Sequence, residues 1–470
     1  SIRAHSPQIS TAASPIPRKP ATERMASAGR NQRRRAEEAP GAGLDDLMSL
    51  PPEMLNEILA RLPFEELVRT CRLSRAWRRR WESVPGLDIQ FDDPWSAAAP
   101  DARALWRCSA PVGGFTALVR MGHFHRAARW LLALARKRVQ KLVLRLDYPD
   151  SAPVVGPALF SCAALTDLEL YGYCHLPRAP PGFQGFPNLV TLVLDNLLLR
   201  LPGAAAQLQR LISSAPGLRE LSLHNLKAGR ARAGLEICAI RPPSLRILRL
   251  FISIFLDNGC RLAEDLQLLE VASISIDALL GTPAFVDTFP QISNVNTLFF
   301  YTDSKQIKEN PLEGISWKFQ NLRAAHLTAN FGKLPSIRSI FSLLRFGPHV
   351  EELHIQAENR SYLFKNLDPA ALDDAVRADT IDQDILDAEI SDDLFANLKH
   401  ISLYGMGSLP NDMWFMKSLL SKTGLLESFV VTFNYGEETE FYVEACEELE
   451  ACEKASPQAQ LELRPRKFPA

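Results

Sequence analysis

Few residues in this chain stand at spacings that support covalent chemistry. His123-Phe124-His125 sets two imidazoles two residues apart with no cysteine or carboxylate beside them, which is not a zinc ligand set. Gly-x-Ser-x-Gly, Gly-x-x-x-x-Gly-Lys-Ser/Thr and His-Glu-x-x-His are all absent from the sequence, which removes the common motifs of serine nucleophiles, phosphate loops and zinc proteases. Asp382-x-Asp384-x-x-Asp387 lacks the glycine turn and terminal Glu of a calcium loop. The eight cysteines include no Cys-x-x-Cys pair, and Cys446 and Cys452 lack metal spacing; they read as small buried hydrophobes of a reducing compartment. No catalytic residue, metal or cofactor is expected.

A chain without a reaction centre works through surfaces, and composition limits which. The 470 residues are 46% hydrophobic and 23% charged, so a sizeable core can form and wholesale disorder is excluded. At roughly 100 to 200 residues per domain, this length means two to four domains or one long repeat array. Lys plus Arg number 53 and Asp plus Glu 54, a net charge of -1 that disfavours a globally basic nucleic-acid binder. The longest nearly apolar run, Phe251 to Leu256, falls far short of the roughly 18 to 20 residues that cross a bilayer, so no membrane partner is expected. The sequon Asn359-Arg360-Ser361 is then a chance match.

Residues 1–44 are Arg-rich among Ser, Pro, Ala and Gly and read as a disordered basic tail. Residues 1–24 are taken as upstream sequence rather than a targeting signal, because Met25-Ala26-Ser27 resembles an ordinary start. Over 45–87 the pattern turns helical. Leu50-Pro51-Pro52-Glu53 places prolines at a helix start, Leu55, Ile58, Leu59 and Leu62 share a face, and Pro63 stops the helix. A second helix is expected over 65–72 with Leu67, Val68 and Cys71 on one side, and a third over 74–81 bearing Trp77 and Trp81. Three helices within about 40 residues make a core too small to be comfortable alone, which argues for a partner.

Leu50-Pro51-x-Glu53, Ile58-Leu59-x-x-Leu62-Pro63, Leu67-Val68-x-x-Cys71-x-Leu73-Ser74 and Trp77-Arg78 together resemble an F-box, in register and without gaps. The resemblance implies docking on a Skp-type adaptor and, through it, on the cullin and RING subunits of an SCF-type ubiquitin ligase. It implies an adaptor-binding set of Leu50, Pro51, Glu53, Leu55, Ile58, Leu59, Leu62, Pro63, Leu67, Val68, Leu73 and Trp77. Which of these face the adaptor and which fill the core stays open, with Trp77 expected mainly in the core. Arg69, Arg72, Arg75, Arg78, Arg79 and Arg80 either steer an acidic adaptor surface or form a solvated cationic face.

Residues 88–138 read as a helical connector and N-terminal cap, with Phe124, Ala127, Ala128, Leu131, Leu132 and Ala135 at helical spacing. Over 139–435 the template Leu-x-x-Leu-x-Leu recurs eleven times with hydrophobic substitutions, from Val139-Leu142-Leu144 to Leu426-Phe429-Val431. Nine of the ten intervals lie between 24 and 29 residues, the period of leucine-rich repeats. The long interval holds an acidic insertion, 366–393, read as a solvated loop, with a flap selecting basic substrates as the sharper alternative. The segment 398–435, with Leu398-Lys399-His400-Ile401-Ser402-Leu403 and Met416-Lys417-Ser418-Leu419-Leu420, resembles the FBD segment of plant F-box proteins. Residues 436–470 read as a C-terminal cap and tail, with Leu461-x-Leu463 a closing strand.

The fold expected is an α/β solenoid, a small N-terminal three-helix F-box followed by an irregular leucine-rich-repeat horseshoe. The resemblances imply a non-catalytic target receptor, cytoplasmic or nuclear, whose repeats bind a protein still to be identified. The competing reading is a leucine-rich-repeat scaffold or small-molecule sensor that acts without ubiquitination.

Overall fold

In a strand, alternate side chains face opposite sides, so the second and third leucines of each template must share a face and pack away from water. The computed structural model describes residues 47, 49–91, 107–120, 124–147, 154–199, 203–228, 238–240, 242–252, 260–262, 266–276, 290–302, 309–310, 312–358, 377, 379–391, 393–436 and 439–466. The basic tail 1–44 and residues 366–376, 378 and 392 of the acidic insertion therefore lie outside the described residues. By contacts the chain forms two units, residues 1–55 and 56–470.

In the first unit, Leu50 N donates to Leu47 O and Leu55 N to Pro51 O as helix α1, Pro52–Ala60, begins. Pro52 is its first residue, where a missing N–H forfeits no hydrogen bond. In the second unit, Pro63 precedes helix α2, Phe64–Arg69, and two 3-10 segments follow, Thr70–Arg72 and Trp77–Ser83. The third helix expected over 74–81 is thus a later and tighter one. Its shift turns Trp77, Trp81 and Val84 all inward.

Seventeen strands are described: β1 Leu87–Phe91, β2 Val112–Arg120, β3 Lys141–Asp147, β4 Asp167–Cys174, β5 Thr191–Leu199, β6 Glu220–His224, β7 Lys227–Ala228, β8 Cys238–Ile240, β9 Ile247–Ile252, β10 Cys260–Leu262, β11 Val271–Ile276, β12 Thr297–Thr302, β13 Ala324–Ala329, β14 Glu352–Ala357, β15 His400–Met406, β16 Ser428–Phe433 and β17 Gln460–Arg464. The main sheet runs β1-β2-β3-β4-β5-β6-β9-β11-β12-β13-β14-β15-β16-β17, with each pairing parallel. The eleven templates lie in one register: Leu142, Leu168, Leu192, Leu221, Leu248, Ala272, Leu298, Ala325, Leu353, Ile401 and Phe429 are cross-strand partners in succession. All are buried.

Helices return on the side of those leucines: α3 Phe124–Arg136, α4 Ala204–Ser213, α5 Leu334–Phe346, α6 Gln383–Ala388, α7 Pro410–Lys422 and α8 Glu440–Glu450. Elsewhere the return is a 3-10 turn, as at Pro157–Ser161 and Pro290–Asn294, so the solenoid is irregular. The 88–138 segment, read as a helical connector, holds β1 and β2 as well as α3, and the sheet begins before residue 139. Val112-x-x-Phe115-x-Ala117 is a further template, 27 residues ahead of Val139, with its three apolar residues buried. At the other end β17 pairs with β16, as the closing-strand reading expects.

Candidate functional site

The motif residues of the N-terminal helices sort cleanly by exposure. Leu55, Leu59, Leu67 and Trp77 are buried, Leu50 and Val68 half-buried, and Pro51, Glu53, Ile58, Leu62, Pro63 and Leu73 exposed. The exposed side chains are large and apolar: Ile58 is 45%, Leu62 39% and Leu73 47% accessible. In the second unit, Pro63 breaks the chain after Leu62 and Leu73 closes a 3-10 turn, so both stand outward where they do not pack internally. Arg69 pairs with Glu65 and Glu66, and an Arg80 nitrogen donates to Asn56 Oδ1 at 3.1 Å. Arg72, Arg75, Arg78 and Arg79 are exposed, a solvated cationic face beside Leu73.

Within the second unit, ring contacts run from the residues after Pro63 to the first strands and α3. Phe64 meets Trp81 and Phe91 at centroid distances of 6.0 and 6.1 Å, Phe91 meets Phe115 at 6.0 Å, and Phe115 meets Trp130 at 6.2 Å. Ser109 N and Oγ both donate to Glu82 O, and Gly86 N donates to Pro111 O. The first three contacts are edge-to-face, an arrangement worth about 0.5 to 1.5 kcal/mol each beyond the area buried.

The side chains between the buried leucines point to the opposite face of the sheet, and there a run of rings crosses six strands. His224 meets Phe251 edge-on at 4.5 Å; Phe251 stacks on Tyr301 at 5.7 Å; Tyr301 neighbours Phe299 at 6.3 Å. Phe299 stacks on His326 at 4.0 Å and His326 on His354 at 4.3 Å, nearly parallel. Phe251 and Tyr301 are two strands apart, and they meet because Ser275 between them has almost no side chain. Burial and the adjoining His354 hold the His326 imidazole down at about 4, so at neutral pH it is uncharged. Burial also pushes His224 down, and its Nε2 has no hydrogen-bond partner among the described residues.

The charges bordering the rings are unevenly partnered. Lys141 pairs with Glu169, and Arg249 with Glu220. Among the described residues, Asp195 accepts hydrogen bonds from two neutral amides, Asn196 Nδ2 at 2.9 Å and Asn225 Nδ2 at 3.3 Å. Both asparagines have positive φ, a conformation their short polar side chains tolerate. Sequence reasoning missed this face because the residues at these positions vary in type from ring to serine to arginine, so the template leucines give no sign of them; the strand register brings the rings together.

The acidic insertion is docked where it is described. Leu386 of α6 is buried, Asp387 accepts from Trp414 Nε1 at 3.1 Å, and Glu389 accepts from Arg338 Nε at 2.8 Å and lies 3.4 Å from Arg345. Asn411, itself buried, donates to Phe331 O and Asp379 O and accepts from Ile381 N. Most of 379–391 is exposed, as the solvated reading expects, but the segment carries the short helix α6, whose Leu386 is buried and whose Glu389 faces Arg338 and Arg345 of α5. Asp387 is exposed and Glu389 half-buried, and each has a partner on a neighbouring helix. Of the other residues weighed for chemistry, Cys446 and Cys452 are free thiols whose pKa burial raises, His123 is outside the described residues, and no group of metal-ligating side chains occurs among the described residues. No described helix is long and apolar enough to cross a membrane.

Comparison with known proteins agrees with this architecture. Residues 47–87 match the F-box domain, and residues 127–284 match the repeats described as FBD-associated F-box protein At5g56370, LRR repeats. The Arabidopsis thaliana F-box/FBD/LRR-repeat protein At1g13570 is 24% identical, the match covering 90% of this chain and 99% of that protein. FBD-associated F-box protein At4g13985 and putative F-box/FBD/LRR-repeat protein At2g05300, from the same plant, are 28% and 30% identical; those matches span 43% and 40% of the two relatives. A solved Leptospira interrogans LRR protein covers 84% of this chain at 17% identity with a TM-score of 0.31. The chain thus carries an F-box domain followed by leucine-rich repeats of the kind found in FBD-associated F-box proteins.

Proposed function

We propose that the protein is the non-catalytic target receptor of an SCF-type ubiquitin ligase. The observation that carries the proposal is the division of the motif residues: Leu55, Leu59, Leu67 and Trp77 are consumed by the protein's own core, while Ile58, Leu62, Pro63 and Leu73 are left in water. Apolar groups held out in this way mark a surface that a partner covers. In the second unit we assign Ile58, Leu62, Pro63 and Leu73 to contact with a Skp-type adaptor, with Val68 at the margin. In the first unit, Pro51, Glu53 and the half-buried Leu50 are assigned to the same role on the motif alone.

Burying a Leu or Ile side chain is worth about 1.5 to 3 kcal/mol, so a few such anchors outweigh the entropy of docking. The adaptor in turn brings the cullin and RING subunits. The receptor performs no covalent step; it holds a target at raised effective concentration beside a ubiquitin-loaded enzyme. The ring contacts from Phe64 to Trp130 support this role, since they fix the helical segment to the recognition sheet. The test is reconstitution: with adaptor, cullin, RING subunit and a ubiquitin-charged enzyme, the chain is expected to become ubiquitinated on its own lysines. Assembly of that mixture without the chain entering the complex would refute the proposal.

A further inference from the structure

We propose that the C-terminal edge of the sheet, strand β17, pairs antiparallel with β17 of a second copy of this chain, about a two-fold axis at Leu463. The inference goes beyond the receptor reading and does not rest on it.

The two ends of the sheet are finished differently. At the first, Leu87 and Ile89 of β1 are buried, and Phe64 of α2 packs its ring on Phe91. At the last, β17 pairs with β16 alone, and no described element lies beyond it. Leu461 and Leu463 are only half-buried there, whereas their cross-strand partners Phe429 and Val431 are fully buried. Gln460 N donates to Glu427 O, so by the alternation of a parallel ladder the N–H and C=O groups of Gln460, Glu462 and Arg464 turn toward β16. Those of Leu461 and Leu463 turn outward, and an edge of this kind is a template for another strand.

Charge selects which strand. Charged residues on an edge repel most strands that approach it. Glu462 and Arg464, however, stand two residues apart on one face with opposite signs, and pair with each other at 2.6 and 2.7 Å. In antiparallel order Glu-x-Arg is its own complement. With Leu463 opposite Leu463 of the second copy, each Glu462 stands opposite an Arg464, an arrangement that stabilises a strand pair. The register centred on Glu462 instead sets two carboxylates against each other. Pro465 has no N–H and stops the new ladder just past Arg464.

The surroundings of the axis suit a second copy. Leu463 O accepts from the Tyr442 hydroxyl at 3.3 Å, which places the start of α8 at the axis residue, and a carbonyl keeps a second lone pair for the new strand. The residues flanking Tyr442, Phe441 and Val443, are 55% and 46% accessible and add apolar surface beside the axis. Head-to-tail pairing of β17 with β1 would generate an open filament, and β1 already has Phe64 against it; the two-fold pairing closes. Two repeat arrays in one assembly hold a target with two sites more firmly than either does alone.

The test is sedimentation equilibrium of the full chain, with and without a Skp-type adaptor. The parent is expected to form an assembly of two copies that dissociates on dilution. Arg464→Glu and Glu462→Arg each set like charges across the axis and should weaken the pairing at least about tenfold. Both side chains are about half exposed, so each variant should keep the parent's circular dichroism. Glu462→Arg combined with Arg464→Glu should restore the pairing, and the two single variants mixed in equal amounts should pair with each other. The Leu461 and Leu463 amides should be protected from hydrogen exchange in the parent and lose that protection in each single variant. A chain that stays single at every concentration, an assembly indifferent to the single reversals, or a mixture that fails to associate would overturn the proposal. A single chain whose Leu461 and Leu463 amides are nevertheless protected would assign the edge to another segment of the same chain, and overturns it too. Adaptor content is read from the same masses, so failure of the receptor reading is distinguishable from failure of this one.

Discussion

At the scale of residues, burial separates roles that the F-box motif alone leaves mixed. Leu62 and Leu73 are exposed and Leu67 is fully buried, although all three belong to one motif. Leu62→Glu with Leu73→Glu is therefore expected to abolish adaptor binding with the melting temperature within a degree or two of the parent. Leu67→Ala should instead cost about 2 to 5 kcal/mol of stability through cavity formation, measured by urea denaturation. A second prediction concerns His326, whose folded-state pKa of about 4 lies below the ordinary histidine value of 6.5. Between those values the unfolded chain binds the proton and the folded chain does not, so His326 withdraws stability as pH falls from about 6.5 to about 4. His326→Phe keeps the stack and removes the titration. Its melting temperature should fall less than the parent's between pH 7 and pH 5.

At the scale of elements, the repeats were legible because a core position recurring every 24 to 29 residues is a direct physical requirement of stacked strands. Each of the eleven templates became a strand, and even Ala272 and Ala325 kept register. β1 and β2 were not legible as repeats, since Ile89, Phe91, Phe115 and Ala117 fill the positions that leucine marks elsewhere. The docked helix within the acidic insertion was not legible for a related reason. Its many carboxylates mask the one buried leucine, and the partners Arg338, Arg345, Trp414 and Asn411 lie 27 to 51 residues away in sequence from the groups they bind there. Asn411 is the pivot of that docking, and Asn411→Ala leaves buried backbone groups unpaired at about 1 to 3 kcal/mol each. Limited trypsin digestion is expected to cut at Arg377 several-fold faster in this variant, while strands β3 to β6 keep their hydrogen-exchange protection.

At the scale of the whole chain, the account joins two surfaces that do different things. In the proposed function the exposed apolar residues of the F-box domain are assigned to the ligase, and the repeats to the target. Within the second unit, Phe91 bridges Phe64 and Phe115, so it couples the F-box helices to the first strands. Phe91→Ala should preserve adaptor binding yet lower ubiquitination in the reconstituted ligase, because the held chain loses its fixed orientation. The first claim on which all of this depends is adaptor binding. Its most direct measurement is size-exclusion chromatography of residues 25–470 co-expressed with a Skp-type adaptor. The account predicts a single co-eluting complex that is lost both in Leu50→Ala with Pro51→Ala and in Leu62→Glu with Leu73→Glu, each variant remaining folded by circular dichroism. A folded chain that elutes apart from the adaptor, or a complex indifferent to both pairs of substitutions, would contradict it.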